Sequence, residues 1–471
     1  MCYQLRSSGT LLASWAPCNK FAANFMETIV AIATAPGRAG VGVVRLSGDK
    51  SADIATVICG KLPPARYAQF SHFRDHDSEI IDSGIVLYFP NPASFTGEDV
   101  IELQGHGSPI VLDRLCQRAI KLGARMARPG EFSERAFLNN KMDLAQAEAV
   151  ADLIDSSTEQ AARSAMRSLQ GVFSERIDDL LQKLTELRMF VEASIDFSDE
   201  EIDFLAEAAV DKQLQSLLAV LDGIQASAQQ GRLLRDGISI VLAGQPNAGK
   251  SSLHNQLAGH DAAIVTDIAG TTRDVLREQI HLGGLPLRIS DTAGLHDSPD
   301  EVEREGIRRT QSEIAQADHI LMIMDDSKGK NAEDLAILES LPAHIPLTLI
   351  RNKADKTGHK VELVTENGQQ VIYMSAKTGE GMDLLENYLC EAVGYHPHDE
   401  GVFIARRRHL DAIARARVAI DAGYACLTGM GAGELLAEEL RQAQQALGEI
   451  TGSFSNEDLL DKIFSSFCIG K

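Results

Sequence analysis

The stretch Ile238-Ser-Ile-Val-Leu-Ala-Gly244-Gln-Pro-Asn-Ala-Gly249-Lys250-Ser251-Ser252 decides the fold. Its first six residues form an apolar, β-branched run of strand length. The next eight match G-x-x-x-x-G-K-[ST], and Ser251–Leu257 reads as the helix that follows. Glycines let backbone N–H groups curl around a phosphate, Lys250 adds a cation, and the helix N-terminus adds its dipole. The Ser251 hydroxyl is suited to ligate Mg²⁺. The candidate set on this loop is Asn247, Ala248, Gly249, Lys250, Ser251 and Ser252.

Downstream, further strand-sized runs end in short polar motifs. Leu287–Ser290 leads to Asp291-Thr292-Ala293-Gly294, which places Asp291 for a water-mediated Mg²⁺ contact and the Gly294 amide for a γ-phosphate. Leu347–Ile350 leads to Asn352-Lys353-Ala354-Asp355, and Val371–Met374 to Ser375-Ala376-Lys377. A carboxylate at Asp355 accepts from both the ring N–H and the exocyclic amine of guanine, whereas adenine offers an acceptor there and no amine. The four motifs, in this order on these elements, predict a Ras-like P-loop GTPase domain over residues 237–395. Leu295 stands where small signalling GTPases carry a water-orienting Gln, so Glu303 is the candidate polar group, with a solvated helix as its plain alternative. Asn247 and the stretch Thr266-Asp267-Ile268-Ala269-Gly270-Thr271-Thr272-Arg273 offer oxygens near the developing γ-phosphate charge. A monovalent cation there would do an arginine's work, and Thr272 is the natural second Mg²⁺ hydroxyl.

Working outward, Ile29–Phe89 mixes short β-branched runs (Ile29–Ile32, Val41–Leu46, Ile85–Phe89) with glycine and proline, which predicts an α+β domain over 26–141. No proline falls between Pro129 and Pro246, and Val402–Leu427 and Glu434–Leu447 read as helices. The architecture predicted is therefore multidomain α+β and α/β: an N-terminal domain, then a helical domain (142–236 and 396–471) interrupted by the GTPase domain. Residues 1–25 contain no Asp or Glu and read as a disordered extension or an over-long start, with Met26 as initiator.

The chain has 471 residues and a formal net charge of −22. Such a charge repels a phosphate backbone, so a nucleic-acid role needs a local basic patch. Arg406, Arg407, Arg408, Arg415 and Arg417, interrupted by Asp411, form the best local candidate, with salt bridges to acidic helices of the same domain as the equal alternative. Seven scattered cysteines without a C-x-x-C fit a reducing cytoplasm. No apolar run reaches membrane-spanning length. Cys468 stands four from the end, but Gly470 and Lys471 fit a prenylation box poorly, which leaves a structural thiol as the general reading.

Beyond the GTPase motifs, the chain resembles the tRNA-modification GTPase family MnmE, also called TrmE. The resemblance rests on Ala35-Pro-Gly-Arg-Ala-Gly-Val-Gly42, Arg45-Leu-Ser-Gly48, Phe95-Thr-Gly-Glu-Asp-Val-Ile-Glu-Leu-Gln-Gly-His-Gly107, Lys141-Met-Asp-Leu-Ala-Gln-Ala-Glu148, Asp196-Phe-Ser-Asp-Glu-Glu-Ile-Asp203 and Cys468-Ile-Gly-Lys471. It implies a folate-binding-like N-terminal domain with a formyl-tetrahydrofolate site at Arg45, Glu102, Lys141 and Lys471, and it places the Cys468 thiol near that folate. It also implies K⁺ ligation by Asn247, Thr266, Ile268 and Thr271, Mg²⁺ ligation by Ser251 and Thr272, and water positioning by Glu303. It further implies a cytoplasmic homodimer working on tRNA with an FAD-dependent MnmG-type partner in a heterotetrameric or larger complex. The chain itself has no G-x-G-x-x-G after a strand to hold FAD. A ribosome-assembly GTPase acting as a nucleotide switch is the alternative, and it would need neither a folate pocket nor a C-terminal thiol.

Overall fold

A computed structural model describes residues 27–196, 207–260, 280–291, 314–315, 317–329, 331–396, 401–430, 432–453 and 457–470. These fall into two compact units: the residues through Met142 together with those from Glu457 onward, and Asp143–Asn456.

The first unit is built on six strands, β1 (Ile29–Ile32), β2 (Ala39–Ser47), β3 (Gln69–Arg74), β4 (Ile80–Phe89), β5 (Val100–Gly107) and β6 (Arg125–Met126), ordered β3-β4-β5-β2-β1-β6. The period-2 alternation along β2 sends Val44 and Leu46 to one face, where Leu103, Ile54 and Leu115 close a core beneath the helices Ser51–Cys59 and Pro109–Lys121. A second, smaller core of Ile29, Ala31, Ala127 and Phe132 packs against Phe95. The last residues, grouped by sequence with the second helical part, pack on this unit. Helix Glu457–Phe464 and the turn after it bury Leu460, Ile463, Phe464 and Phe467. The Phe464 ring lies 6.4 Å from that of Phe137, and the Gly130 amide donates to the Cys468 carbonyl at 3.4 Å.

In the second unit the helices Leu144–Asp155, Val172–Asp196, Glu207–Asp236, Arg407–Met430 and Gly433–Thr451 share a core that includes Leu180, Leu184, Leu217, Ile413, Ile420, Leu440 and Leu447, while helix Glu159–Leu169 places Ala165 in a second core with Ile238 and Leu285. Asp143 and Gln146 form a reciprocal capping box that starts the first of them. The chain then leaves the helices to build a seven-stranded sheet and returns, as the sequence predicts for an inserted α/β domain.

The strands are β7 (Ile238–Ala243), β8 (Ile280–Leu282), β9 (Leu285–Asp291), β10 (His319–Asp325), β11 (Leu347–Asn352), β12 (Glu362–Glu366) and β13 (Gln369–Met374), ordered β12-β13-β11-β10-β7-β9-β8. The five central strands are parallel, and only the β12–β13 and β8–β9 edges are antiparallel. Registers Asp325↔Asn352, Asn352↔Met374 and Leu242↔Asp291 align the strands' carboxyl ends, the edge where open α/β sheets bind ligands.

One helix starts later than its apolar run suggests. Val402–Ala405 are not helical, and the helix begins at Arg407. The four residues are buried as irregular chain: Ser168 Oγ donates to the Ile404 carbonyl at 3.2 Å and accepts from the Ile404 amide at 2.9 Å. Their backbone passes so close to helix Glu207–Asp236 that a Cβ on Gly231 would lie 1.8 Å from the Phe403 carbonyl oxygen.

Candidate functional site

β7 delivers the chain to the loop Gly244–Gly249, and helix Lys250–His260 leaves it. Asn247 adopts φ +65° and Gly249 φ +110°. A Cβ on Gly249 would lie 2.0 Å from the Asn352 side-chain nitrogen, so glycine is required by that approach as well as by its backbone angle. The Lys250 ammonium is buried, and it donates to the carbonyls of Gly244 (2.7 Å) and Gln245 (3.2 Å). Ser251 and Ser252 are exposed at the start of the helix.

The downstream motifs converge on this loop. Asn352, buried at the end of β11, donates its amide to the Ala248 carbonyl at 2.8 Å. Its side-chain oxygen accepts from the Lys353 amide (2.8 Å) and the Ala376 amide (2.9 Å). One side chain thus holds the phosphate loop, Asn352–Asp355 and Ser375–Lys377 in a single hydrogen-bonded array. Lys353, at φ +71°, extends its ammonium to the Asn247 carbonyl and to Asp325, each at 2.7 Å. Ser375 Oγ donates to one oxygen of Asp355 at 2.7 Å, and Asp355 is exposed. Ala354 and Ala376 are buried beneath the loops, whereas Lys377 is exposed. Asp291 ends β9 opposite Leu242, two residues before the phosphate loop begins.

Two polar groups here escape the motif reading. Asp325 ends the apolar run of β10, and the only sequence signal is an acid where that run stops. Burial alone would raise its pKa, but donors from Lys353 and Ser327 hold it at about 2. Asn331 accepts from Gln245 of the phosphate loop at 2.7 Å while its oxygen also caps the helix Ala332–Ser340. Thr266, Asp267, Ile268, Ala269, Gly270, Thr271, Thr272, Thr292, Ala293, Gly294 and Glu303 lie outside the described residues.

In the first unit Arg45 and Glu102 face each other across β2 and β5 and pair at 2.8 Å. The Arg45 guanidinium lies 5.7 Å from the Phe95 ring centroid and 5.9 Å from that of Phe132. Lys141 donates to the Pro92 carbonyl at 2.8 Å. Cys468 is exposed, and its carbonyl bonds the residue that opens helix Glu131–Leu138, two before Phe132. Lys471 lies outside the described residues.

The arginine cluster takes the second of its two readings, salt bridges within its own unit. Arg406 donates to Asp152 and to the Glu148 carbonyl, and Arg408 grips Glu148 with two bonds of 2.8 and 2.7 Å. Arg415 pairs with Glu449, and Arg417 with Asp222 and Asp421. Only Arg407 of the five has no ion pair among the described residues, and it is exposed. The charge that looked available for a phosphate backbone is spent on acids of the same unit. Burial would raise the Glu148 pKa, yet His409, 2.9 Å away, and Arg408 hold it well below the usual carboxylate range.

Among the described residues, no helix is long and apolar enough to cross a membrane. Residues 28–141 match the family model for the GTP-binding protein TrmE N-terminus, and residues 144–468 match that for the MnmE helical domain. Among solved structures, an Era variant from Aquifex aeolicus bound to GDP·AlF4⁻ is 22% identical, covering 39% of this chain and 66% of that one at a TM-score of 0.25. The G domain of the T. maritima FeoB iron transporter is 23% identical, covering 33% of this chain and 98% of that one at a TM-score of 0.25. At such TM-scores neither likeness bears on what this chain does.

Proposed function

The chain belongs to the MnmE/TrmE family of tRNA-modification GTPases, whose two models together span residues 28–468, and from that premise we propose that its GTP hydrolysis drives chemistry at the wobble uridine of tRNA. The product is a carboxymethylaminomethyl or aminomethyl group, installed with an FAD-dependent MnmG-type partner. The flavin step belongs to that partner.

The observation that carries the nucleotide reading is the Asn352 array, because it joins the phosphate loop to the two base-reading loops through one buried side chain. The loop amides around Ala248 and Gly249, with the Lys250 ammonium, fit a β/γ-phosphate. The free oxygen of Asp355 fits the guanine edge, because Ser375 engages the other. Ser251 and Thr272 would hold Mg²⁺, with Asp291 behind a water, and Glu303 would orient the attacking water. Asn247, Thr266, Ile268 and Thr271 would hold K⁺, which when bound would supply positive charge to the transition state in place of an arginine.

In the first unit Glu102 offers an acceptor, and Arg45, Lys141 and Lys471 offer cations. That donor set suits the pterin edge and carboxylate tail of a formyl-tetrahydrofolate-type cofactor. When bound, such a cofactor would supply a one-carbon unit, with the exposed Cys468 thiol as a candidate participant. Supporting a homodimer, Tyr67 and Phe70 are 63% and 66% exposed, and Phe70 faces the half-exposed Ile85 across β3 and β4. A cytoplasmic setting accords with the free thiols.

The test is mass spectrometry of wobble uridine in cells lacking the protein and in complemented cells. Loss on deletion and return on complementation are expected, whereas normal modification in the deletion overturns the reading. Hydrolysis in KCl and NaCl at equal ionic strength tests the ion, and equal rates would remove the potassium site.

A further inference from the structure

The inserted domain joins the helical core through two connections, an incoming one at the end of helix Glu207–Asp236 and an outgoing one that reaches helix Arg407–Met430. Both converge on Asp152. This carboxylate is buried near the end of helix Leu144–Asp155, its side chain 6% exposed. From the incoming side, Arg235 Nε donates to Asp152 Oδ1 at 2.8 Å. From the outgoing side, Arg406 donates to the same Oδ1 at 2.8 Å and to Oδ2 at 3.2 Å. One turn earlier on the same helix, Glu148 holds Arg408.

Contacts around Asp152 make the junction a built feature. The Gln230 side chain donates to the Gly394 carbonyl and accepts from the His396 amide at 3.0 Å, which ties the incoming helix to the outgoing segment. Gly231 passes the Phe403 carbonyl at a distance no side chain would allow. Arg235, within this junction, directly precedes the Asp236-Gly237 turn into β7, the strand that ends in the phosphate loop.

We propose that Asp152 is a positioning residue: its carboxylate clasps both connections of the GTPase insert to the helical core and carries nucleotide-dependent movement between them. This rests on the GTPase reading above. Arg235 and Arg406 stand where the chain leaves the helical core for the inserted domain and where it returns, so a displacement of that domain that bends these connections pulls on both. With both guanidinium groups on one carboxylate, such a shift is passed to helix Leu144–Asp155 rather than absorbed in two independent loops. Charge is essential to this role, because an amide at the same place keeps a hydrogen-bond acceptor but loses the attraction that holds two cations together.

The test uses the full-length chain and the D152N variant, each with GDP and with a non-hydrolysable GTP analogue. Amide hydrogen exchange is read over helix Leu144–Asp155 and residues 394–406. In the wild type the two nucleotides are expected to give different exchange in that helix. In D152N the difference falls at least threefold, GDP affinity stays within twofold, and kcat for hydrolysis falls fivefold or more with KM within twofold. R235K, at a side chain one-third exposed, gives the same loss without altering the buried carboxylate, and it decides the matter if D152N does not fold. Adding R235K to D152N adds little to the loss. A wild-type nucleotide difference that persists in D152N or R235K overturns the proposal, as does a wild-type helix that is blind to nucleotide while phosphate-loop peptides respond. Absence of GTP hydrolysis by the wild type would instead overturn the underlying reading.

Discussion

The side-chain amide of Asn352 donates to the Ala248 carbonyl at 2.8 Å while its oxygen receives the Ala376 amide, so the loop Gly244–Gly249 and the segments Asn352–Asp355 and Ser375–Lys377 are fastened by one residue. Replacing it with alanine leaves the buried Ala248 carbonyl, the buried Ala376 amide and the partly buried Lys353 amide without that partner, a loss on the order of 1–3 kcal/mol. N352A is therefore expected to weaken guanine nucleotide binding by about tenfold to a hundredfold. Titration with a fluorescent GDP checks this, and an affinity within twofold of wild type would show that the loops hold one another by other means.

Asp355 accepts from Ser375 with one carboxylate oxygen, and the residue is exposed. An asparagine there replaces one acceptor with a donor, which meets the exocyclic amine of guanine unfavourably and suits the carbonyl that xanthine carries at that position. D355N should lose GTP affinity by about a hundredfold, or roughly 2–3 kcal/mol, and gain xanthosine triphosphate. Competition of the two nucleotides against a fluorescent analogue measures both changes. Unchanged preference would remove Asp355 from base recognition.

These residues were legible because each motif follows a strand whose apolar run is unmistakable: β7 spans Ile238–Ala243, as its composition predicts, and β11 and β13 end at the motifs that follow them. Sequence reasoning failed where a distant partner decides the outcome. Val402–Ala405 is too short for periodicity to distinguish irregular chain from helix, and the side chain that engages its backbone is Ser168, far away in the chain. The arginines of 406–417 left a basic patch and internal salt bridges equally open because their acids, Glu148, Asp152, Asp222 and Glu449, come from other helices. Asp325 escaped because one acid at a strand end has no spacing to mark it, and its role appears only with Lys353 beside it.

Gly231 lies inside a long helix, where glycine costs about 1 kcal/mol relative to alanine in propensity alone. Here the propensity argument gives the wrong sign. An added Cβ would fall 1.8 Å from the Phe403 carbonyl oxygen, within a segment already fixed by Ser168. G231A is expected to destabilise the second unit by about 1–3 kcal/mol, the usual range for forced overpacking. Thermal unfolding followed by circular dichroism reads the shift. A midpoint equal to or above that of wild type would mean that the outgoing segment moves aside freely.

The last prediction concerns acid. Burial alone would raise the pKa of Glu131, but Arg125, the Arg128 amide and Arg135 all donate to it and hold it at about 2, against an ordinary value of 4.5. A folded pKa below the unfolded one means that the unfolded chain binds the proton more readily. The stabilisation is therefore complete above about pH 4.5 and is lost as pH falls toward 2. The size of the shift corresponds to roughly 3 kcal/mol. E131Q removes the charge at every pH, so it should lower the stability of the first unit by about that amount at pH 7, where Arg125 and Arg135 lose their shared carboxylate. The gap between wild type and E131Q should then narrow steadily below pH 4.5, because acid takes from the wild type what the substitution has already removed. Scanning calorimetry of both proteins from pH 7 to pH 3 measures that gap. A gap that stays constant across the range would show that packing around the side chain, rather than its charge, accounts for the loss.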